Sequence, residues 1–258
     1  MSTITLPRFM PDDLARQSAP RQRWALVRPL IPKRLQPLLR GVRKRVERRR
    51  VVGLVEPFRT VYPYTQVDHT RQRNLLRVAG IVERERVIGA CIECGVLDGG
   101  TAALVAHATR GSGRAVHLFD AWEGLPGSTE QDGPDARRWK GEVVGSPRRV
   151  ARVMSRMGVA PARVTVHKGW FHETFPEAHV PRIALAHIDA DFYEATKLCL
   201  HRWYPHLSPG GFMQFDDYDS FRGCRQAVEE FLAEHPELRL ETFGELKAKA
   251  YYFRKPRR

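Results

Sequence analysis

The sequence predicts an α/β protein: a doubly wound, mostly parallel seven-stranded sheet with an antiparallel edge hairpin. Three observations predict it. From Val87 onward, short apolar runs alternate with segments of helical periodicity, as strands and helices do in βαβ units. Five of those runs end in loops holding acidic or glycine residues, the pattern of ligand-bearing strand ends in open sheets. The last two runs have no helical segment between them, so they pair antiparallel at an edge.

In chain order, residues 56–69 read as a loop, and Leu75, Leu76, Val78, Ala79 and Val82 then mark a helix ending near Glu83–Arg86. Ala90–Glu93 is a short strand, Thr101–Thr109 a helix, and Ala115–Phe119 a strand ending at Asp120. Residues 121–146 form a long polar connection, a length typical of lids and mobile segments. Pro147–Met157 is helical; Arg163–His167 and Ile183–Ile188 are strands, the second ending at Asp189. Ala195–Tyr204 is a helix, Gly211–Phe215 a strand ending at Asp216, and Cys224–Glu234 a helix. Leu238–Phe243 and Ala248–Phe253 make the closing pair.

A chain of 258 residues fits one large domain, here residues 56–258, preceded by a basic, partly helical extension over 1–55. Residues 1–50 hold 14 Lys and Arg against 3 Asp and Glu, so they carry most of the net charge of +14. The body is nearly neutral, which argues against nucleic acid as a partner. Leu35, Leu38, Leu39, Val42 and Val46 share one helical stripe, with Arg40, Lys44, Arg45 and Arg48 off it. Such a helix packs on its own domain or on a second copy in a homo-oligomer; peripheral membrane contact through residues 35–50 is the alternative. No apolar run reaches the roughly 18–20 residues that span a bilayer. The first residues lack the pattern of a secretory signal, and four scattered cysteines do not suggest a disulfide framework. A cytoplasmic setting is expected.

The chemistry lies at the strand ends. The first loop, Glu93-Cys94-Gly95-Val96-Leu97-Asp98-Gly99-Gly100, is not the dinucleotide G-x-G-x-x-G. Its glycines permit a close approach and a tight entry into the next helix. Glu93 places a carboxylate where a dinucleotide site leaves room for pyrophosphate. That suits a cationic, phosphate-free ligand such as a sulfonium bearing an amino group. Asp120, one βαβ step on, is placed to accept hydrogen bonds from ribose hydroxyls. The third strand end offers Lys168-Gly169-Trp170-Phe171.

Asp189, Asp191, Asp216 and Asp217 converge at adjacent strand ends. Gathered carboxylates repel unless a cation binds or protons are kept. An all-oxygen donor set suits Mg²⁺, with Mn²⁺ as a substitute. Helix capping is the plainer reading of any single aspartate, but not of four together. A divalent ion acidifies a hydroxyl, and Asp191, two residues beyond Asp189, can share that face to take the proton.

These motifs, Glu93–Gly100, Asp120–Pro126, Lys168–Phe171, Ile188–Thr196, Leu207–Gly211 and Phe215–Ala227, resemble the macrocin O-methyltransferase family over about Tyr62 to Phe253. The resemblance implies a class I methyltransferase fold using S-adenosylmethionine and Mg²⁺. It implies Asp189, Asp216 and Asp217 as metal ligands and Asp191 as general base. Glu93, Gly95, Val96, Asp120, Gly169 and Trp170 resemble cofactor contacts, and Thr65 resembles part of a lid over the cofactor. The acceptor implied is a hydroxyl of a sugar or glycosylated small molecule. A catechol-like diol, or a non-catalytic binding relative, are the rival expectations. Ala190 stands where the family has a small glycine, and residues 127–146 match poorly.

Other residues read more plainly. Cys91 and Cys94 lie three apart on a strand and so point to opposite faces. Trp122 and Trp170 follow strand ends, where they either stack near a ligand or pack into the core. His167 and His172 flank the third strand end, within reach of an acceptor.

Overall fold

The computed structural model describes residues 55–245 and 249–257. The basic extension up to residue 54, with the helix expected around Leu35–Val46, lies outside the described residues. Seven strands form one sheet of order β3-β2-β1-β4-β5-β7-β6. They are β1 (Ala90–Cys94), β2 (Val116–Asp120), β3 (Val164–Lys168), β4 (Ile183–Ile188), β5 (Leu207–Phe215), β6 (Glu241–Phe243) and β7 (Ala250–Arg254). The first five are parallel. β7 runs antiparallel to β5 and β6. The expected sheet and edge hairpin are both present.

The helices are α1 (Phe58–Val61), α2 (His69–Arg84), α3 (Gly100–Ala108), α4 (Pro147–Arg156), α5 (Phe171–Glu177), α6 (Tyr193–Trp203) and α7 (Arg222–Glu234). They cover both faces. One core joins α2, α3 and α4 to the sheet through Leu75, Val82, Leu104, Val153 and Cys91. The other joins α5, α6 and α7 through Phe175, Trp203, Phe231 and Cys94. Cys91 and Cys94 therefore face opposite layers, as strand alternation requires. Both are free and buried, and burial pushes the Cys91 thiol up to about 12, which suits packing rather than redox chemistry.

Helix α5 was not expected, β5 begins at Leu207 rather than Gly211, and β6 at Glu241 rather than Leu238; two further differences have local reasons. Residues 56–69, expected as a loop, contain α1 and a 3-10 turn at Tyr62–Tyr64 that bury Phe58, Val61 and Tyr64. Seven residues are too few for a period to declare itself. Helix α2 begins six residues earlier than its apolar pattern, because the Asp68 side chain accepts from the Thr70 amide at 2.7 Å and caps it. Among the described residues, no helix is long and apolar enough to cross a membrane.

Register sets the position of the site. Cys94 pairs with Phe119 and Ile188, and Ile188 pairs with Phe215. The residues one step beyond, Gly95, Asp120, Asp189 and Asp216, thus stand in one row along the carboxyl edge. The row straddles β1 and β4, where the winding reverses. That reversal opens the crevice in which such sheets bind ligands.

Candidate active site

The glycine turn after β1 is drawn tight by its neighbours. The Asp120 carboxylate accepts the Val96 and Leu97 amides at 2.8 Å each, and the Trp122 amide at 2.6 Å. Burial pushes the Asp120 pKa up, and those three amides pull it back. The Leu97 carbonyl accepts from the Trp122 indole at 2.8 Å and the Ser146 amide at 3.1 Å. Trp122 is thus a buried brace of the loop, the packing alternative of its two readings.

Gly95 was expected to admit a ligand to the backbone. The structure gives a nearer reason. Its φ is +85°, and a Cβ there would run into the Asp189 carbonyl and its carbon. The turn after β1 and the end of β4 cross at that point, so only glycine fits. At Gly100, a Cβ would meet Thr65 Cβ at 2.8 Å and the Tyr64 backbone at 2.9 Å. Thr65 is buried, and its hydroxyl accepts the Val67 amide at 3.0 Å. The segment holding Tyr64 and Thr65 therefore presses directly on the glycine turn. Arg149 pins it there, with Nη2 donating to the Pro63 carbonyl at 2.6 Å and Nε lying 2.9 Å from Asp98 Oδ2. Gly169 donates its amide to the Asp120 carbonyl at 3.0 Å, which sets Gly169 and the half-buried Trp170 beside the second strand end. His167 is stacked on Phe119 with centroids 4.2 Å apart, while His172 is largely exposed beside Glu173.

Glu93 lies deeper than expected, 2% exposed. Its Oε1 accepts from the Thr101 hydroxyl and lies 2.7 Å from His187 Nδ1, while its Oε2 is buried without a hydrogen-bond partner. His187 Nε2 stands 4.0 Å from Asp216 Oδ1, and Asp216 Oδ2 accepts from Arg71 at 3.1 Å. A chain of alternating charge thus runs from α3 through β1, β4 and β5 to α2. Burial alone would lower the His187 pKa; the Glu93 bond and the charges of Glu93, Asp216 and Asp217 outweigh it and raise it. Neither His187 nor Arg71 was singled out from sequence. A signal existed for the first: His187 is the one polar residue in Ile183–Ile188, two before Asp189 and on the same face.

Asp189, Asp191 and Asp217 bring carboxylate oxygens within 4.8 Å of one another. Asp216 stands outside that trio, turned toward Arg71, with Oδ1 buried, 4.0 Å from His187 Nε2 and without a hydrogen-bond partner. Burial and mutual repulsion hold Asp189 and Asp191 well above the usual carboxylate range, and push Asp217 to about 6. Asp191 adopts φ +60°, a costly region for a residue with a Cβ, and its amide donates to Asp217 Oδ2 at 3.1 Å. An all-oxygen trio with raised pKa values, beside a buried carboxylate oxygen that has no hydrogen-bond partner, fits a hard divalent cation.

The strand order with its reversed last pair, and acids at the ends of β1, β2, β4 and β5, define a class I S-adenosylmethionine-dependent methyltransferase. Within that class the chain belongs to the macrocin O-methyltransferase family: the family described as "Macrocin-O-methyltransferase (TylF)" matches residues 8–255. The mycinamicin III 3''-O-methyltransferase of Micromonospora griseorubida is 35% identical over 184 residues, 67% of this chain and 71% of the relative. The demethyldecarbamoylnovobiocin O-methyltransferase of Streptomyces niveus is 30% identical over 180 residues, 66% of this chain and 68% of the relative. The solved O-methyltransferase NovP is similar in structure, with a TM-score of 0.65 at 26% identity, covering 75% of this chain and 83% of that one. The protein is an S-adenosylmethionine-dependent O-methyltransferase.

Proposed function

We propose that the chain methylates a sugar hydroxyl of a glycosylated natural product, with a divalent cation, Mg²⁺ by preference, held at Asp189 and Asp217 with Asp216. Asp191 is the general base. The observation that carries this reading is the trio Asp189, Asp191 and Asp217, gathered within 4.8 Å beside the glycine turn. The names of the relatives support the acceptor class, since one is a mycinamicin III 3''-O-methyltransferase and another acts at the 4' position of a rhamnosyl-tetracenomycin.

A divalent cation supplies a Lewis acid that makes an alcohol more acidic. The chain supplies the rest. Asp189 and Asp217 would give the negative charge that retains a cation, and Asp216 Oδ1, which has no hydrogen-bond partner, would join them. Asp191, whose amide donates to Asp217, takes the hydroxyl proton as the oxygen attacks the methyl carbon and the S–CH3 bond breaks, leaving S-adenosylhomocysteine. The Gly95–Gly100 turn, with Asp120, Gly169, Trp170 and Thr65, would hold the S-adenosylmethionine, which supplies the methyl group. Holding both reactants in line provides the entropic share of catalysis.

The test is methyl transfer from labelled S-adenosylmethionine to mycinamicin III and to a rhamnosyl-tetracenomycin, followed by mass spectrometry. Excess EDTA should abolish transfer and added Mg²⁺ restore it. Transfer that survives complete chelation would refute the metal role. Failure on both glycosides, with transfer to a simple catechol instead, would refute the acceptor class.

A further inference from the structure

The long connection between β2 and α4 is fastened to the site by one residue that neither the motifs nor the chemistry above uses. Asp132 is 7% exposed. Its Oδ1 accepts the Tyr193 amide at 2.7 Å. Its Oδ2 accepts both the amide and the hydroxyl of Thr129, at 2.7 and 2.9 Å. Tyr193 is the first residue of α6, and the N-cap residue, Phe192, has no oxygen to offer its amides. Helix N-termini leave such donors orphaned. Here the missing cap arrives from 61 residues away in sequence, and a carboxylate is the favoured group at that end of the helix dipole.

The neighbouring helix is shaped to admit this carboxylate. A Cβ at Gly223, in the first turn of α7, would run into Asp132 Oδ1 and would stand 2.8 Å from the Tyr193 amide. Asp132 thus fills the notch between the starts of α6 and α7. Past it, a 3-10 turn at Pro134–Trp139 lays the Trp139 ring edge-on to Phe221 with centroids 6.1 Å apart. Phe221 in turn meets Phe192 at 5.6 Å. Phe192 follows Asp191 directly, and the Phe221 amide donates to the Asp217 carbonyl at 2.9 Å. The aromatic row Trp139, Phe221, Phe192 therefore leads from the connection to the carboxylates, and its first two rings are only partly buried.

We propose that Asp132 is a positioning residue for the acceptor: it clamps residues 121–146 across the starts of α6 and α7, so that Trp139 and Phe221 form a fixed apolar wall for the non-reacting part of the acceptor. The assignment rests on the reading above that the acceptor meets the protein beside Asp191. Asp191 has its own anchor on Asp217, so loosening the clamp acts on acceptor binding more than on the chemical step.

Two variants attack the clamp from opposite sides. Asp132→Ala removes the carboxylate, and Gly223→Ala displaces it while leaving it intact. In both, hydrogen exchange at the Tyr193 amide and tryptic cleavage after the exposed Arg137, Arg138 and Lys140 should rise about 10-fold or more. S-adenosylhomocysteine affinity by calorimetry should stay within about 2-fold. With mycinamicin III as acceptor, KM should rise about 10-fold and kcat change less than about 3-fold. Asp132→Asn, which can keep the bond to Tyr193, should recover part of each loss. Unchanged exchange and cleavage would overturn the clamp. A fall in kcat at constant KM, or an equal loss of S-adenosylhomocysteine affinity, would overturn the acceptor role. Should the wild-type enzyme methylate no glycoside, the proposed function fails, while exchange and cleavage still decide the clamp.

Discussion

Asp191 carries the proposed proton transfer. Its backbone is left-handed, a conformation Asp adopts more readily than most residues with a side chain. Its carboxylate joins the trio with Asp189 and Asp217. Substitution by Asn keeps the shape, and Asn tolerates that conformation nearly as well as Asp. Asp191→Asn should therefore fold normally and bind S-adenosylhomocysteine as the parent does. It should lose about 10²–10⁴-fold in turnover, the usual range for a general base. Steady-state kinetics beside calorimetry checks this, and wild-type turnover would remove Asp191 from the role. Asp189, Asp191 and Asp217 were legible from their place at strand ends. Glu93 was legible only as a carboxylate, because its pairing with His187 depends on two strands meeting in register.

At the scale of elements, α2 does more than cover the sheet. Arg71 reaches from it to Asp216 at the end of β5 and to the Lys249 carbonyl before β7. Asn74 donates to Gln214 at 2.8 Å, and Gln214 donates back to the Arg71 carbonyl at 3.2 Å. A helix that precedes the sheet in sequence is thus tied to its far side, and it holds Asp216 while doing so. The Arg71 and Asp216 side chains are 13% and 8% exposed, so removing one leaves a charge with little water. Arg71→Ala should cost about 3–5 kcal/mol, as broken buried pairs do. It should be seen as a lower urea midpoint, and Mg²⁺ at millimolar level should recover part of it. A midpoint within error of the parent would show that water or another cation already serves Asp216. Periodicity located α2, but it carried no sign of this partner 145 residues away.

For the whole molecule, the gathered carboxyls make stability depend on pH with a definite sign. Asp189 and Asp191 hold their protons more tightly folded than unfolded, because burial and repulsion raise their pKa values. His187 is raised as well, its carboxylate partners outweighing its burial. A group raised on folding gives its full contribution below its unfolded pKa and loses it as pH climbs through the folded one. His69, His117 and His167 are lowered, mainly by burial, and act in the opposite sense only below about pH 6.5. As pH rises above about 6.5 the metal-free enzyme should therefore lose thermal stability, and saturating Mg²⁺ should flatten the slope. Calorimetric Tm values across that range, with EDTA or with Mg²⁺, test it; a rising metal-free Tm would contradict the picture.

The sequence by itself determined the order of the strands, the helices α2, α3, α4, α6 and α7, the reversed edge pair, the acids at successive strand ends and the family. Each is written in local pattern: periodicity, strand termination and short motifs along one stretch of chain. Only the tertiary structure decided that Asp216 faces Arg71, that Glu93 is spent on His187, that Gly95 is needed for Asp189, and that Asp132 caps a helix far from it. Those are contacts between segments 61 to 145 residues apart. Strand register and helix docking fix such contacts, and no window along the chain contains both partners.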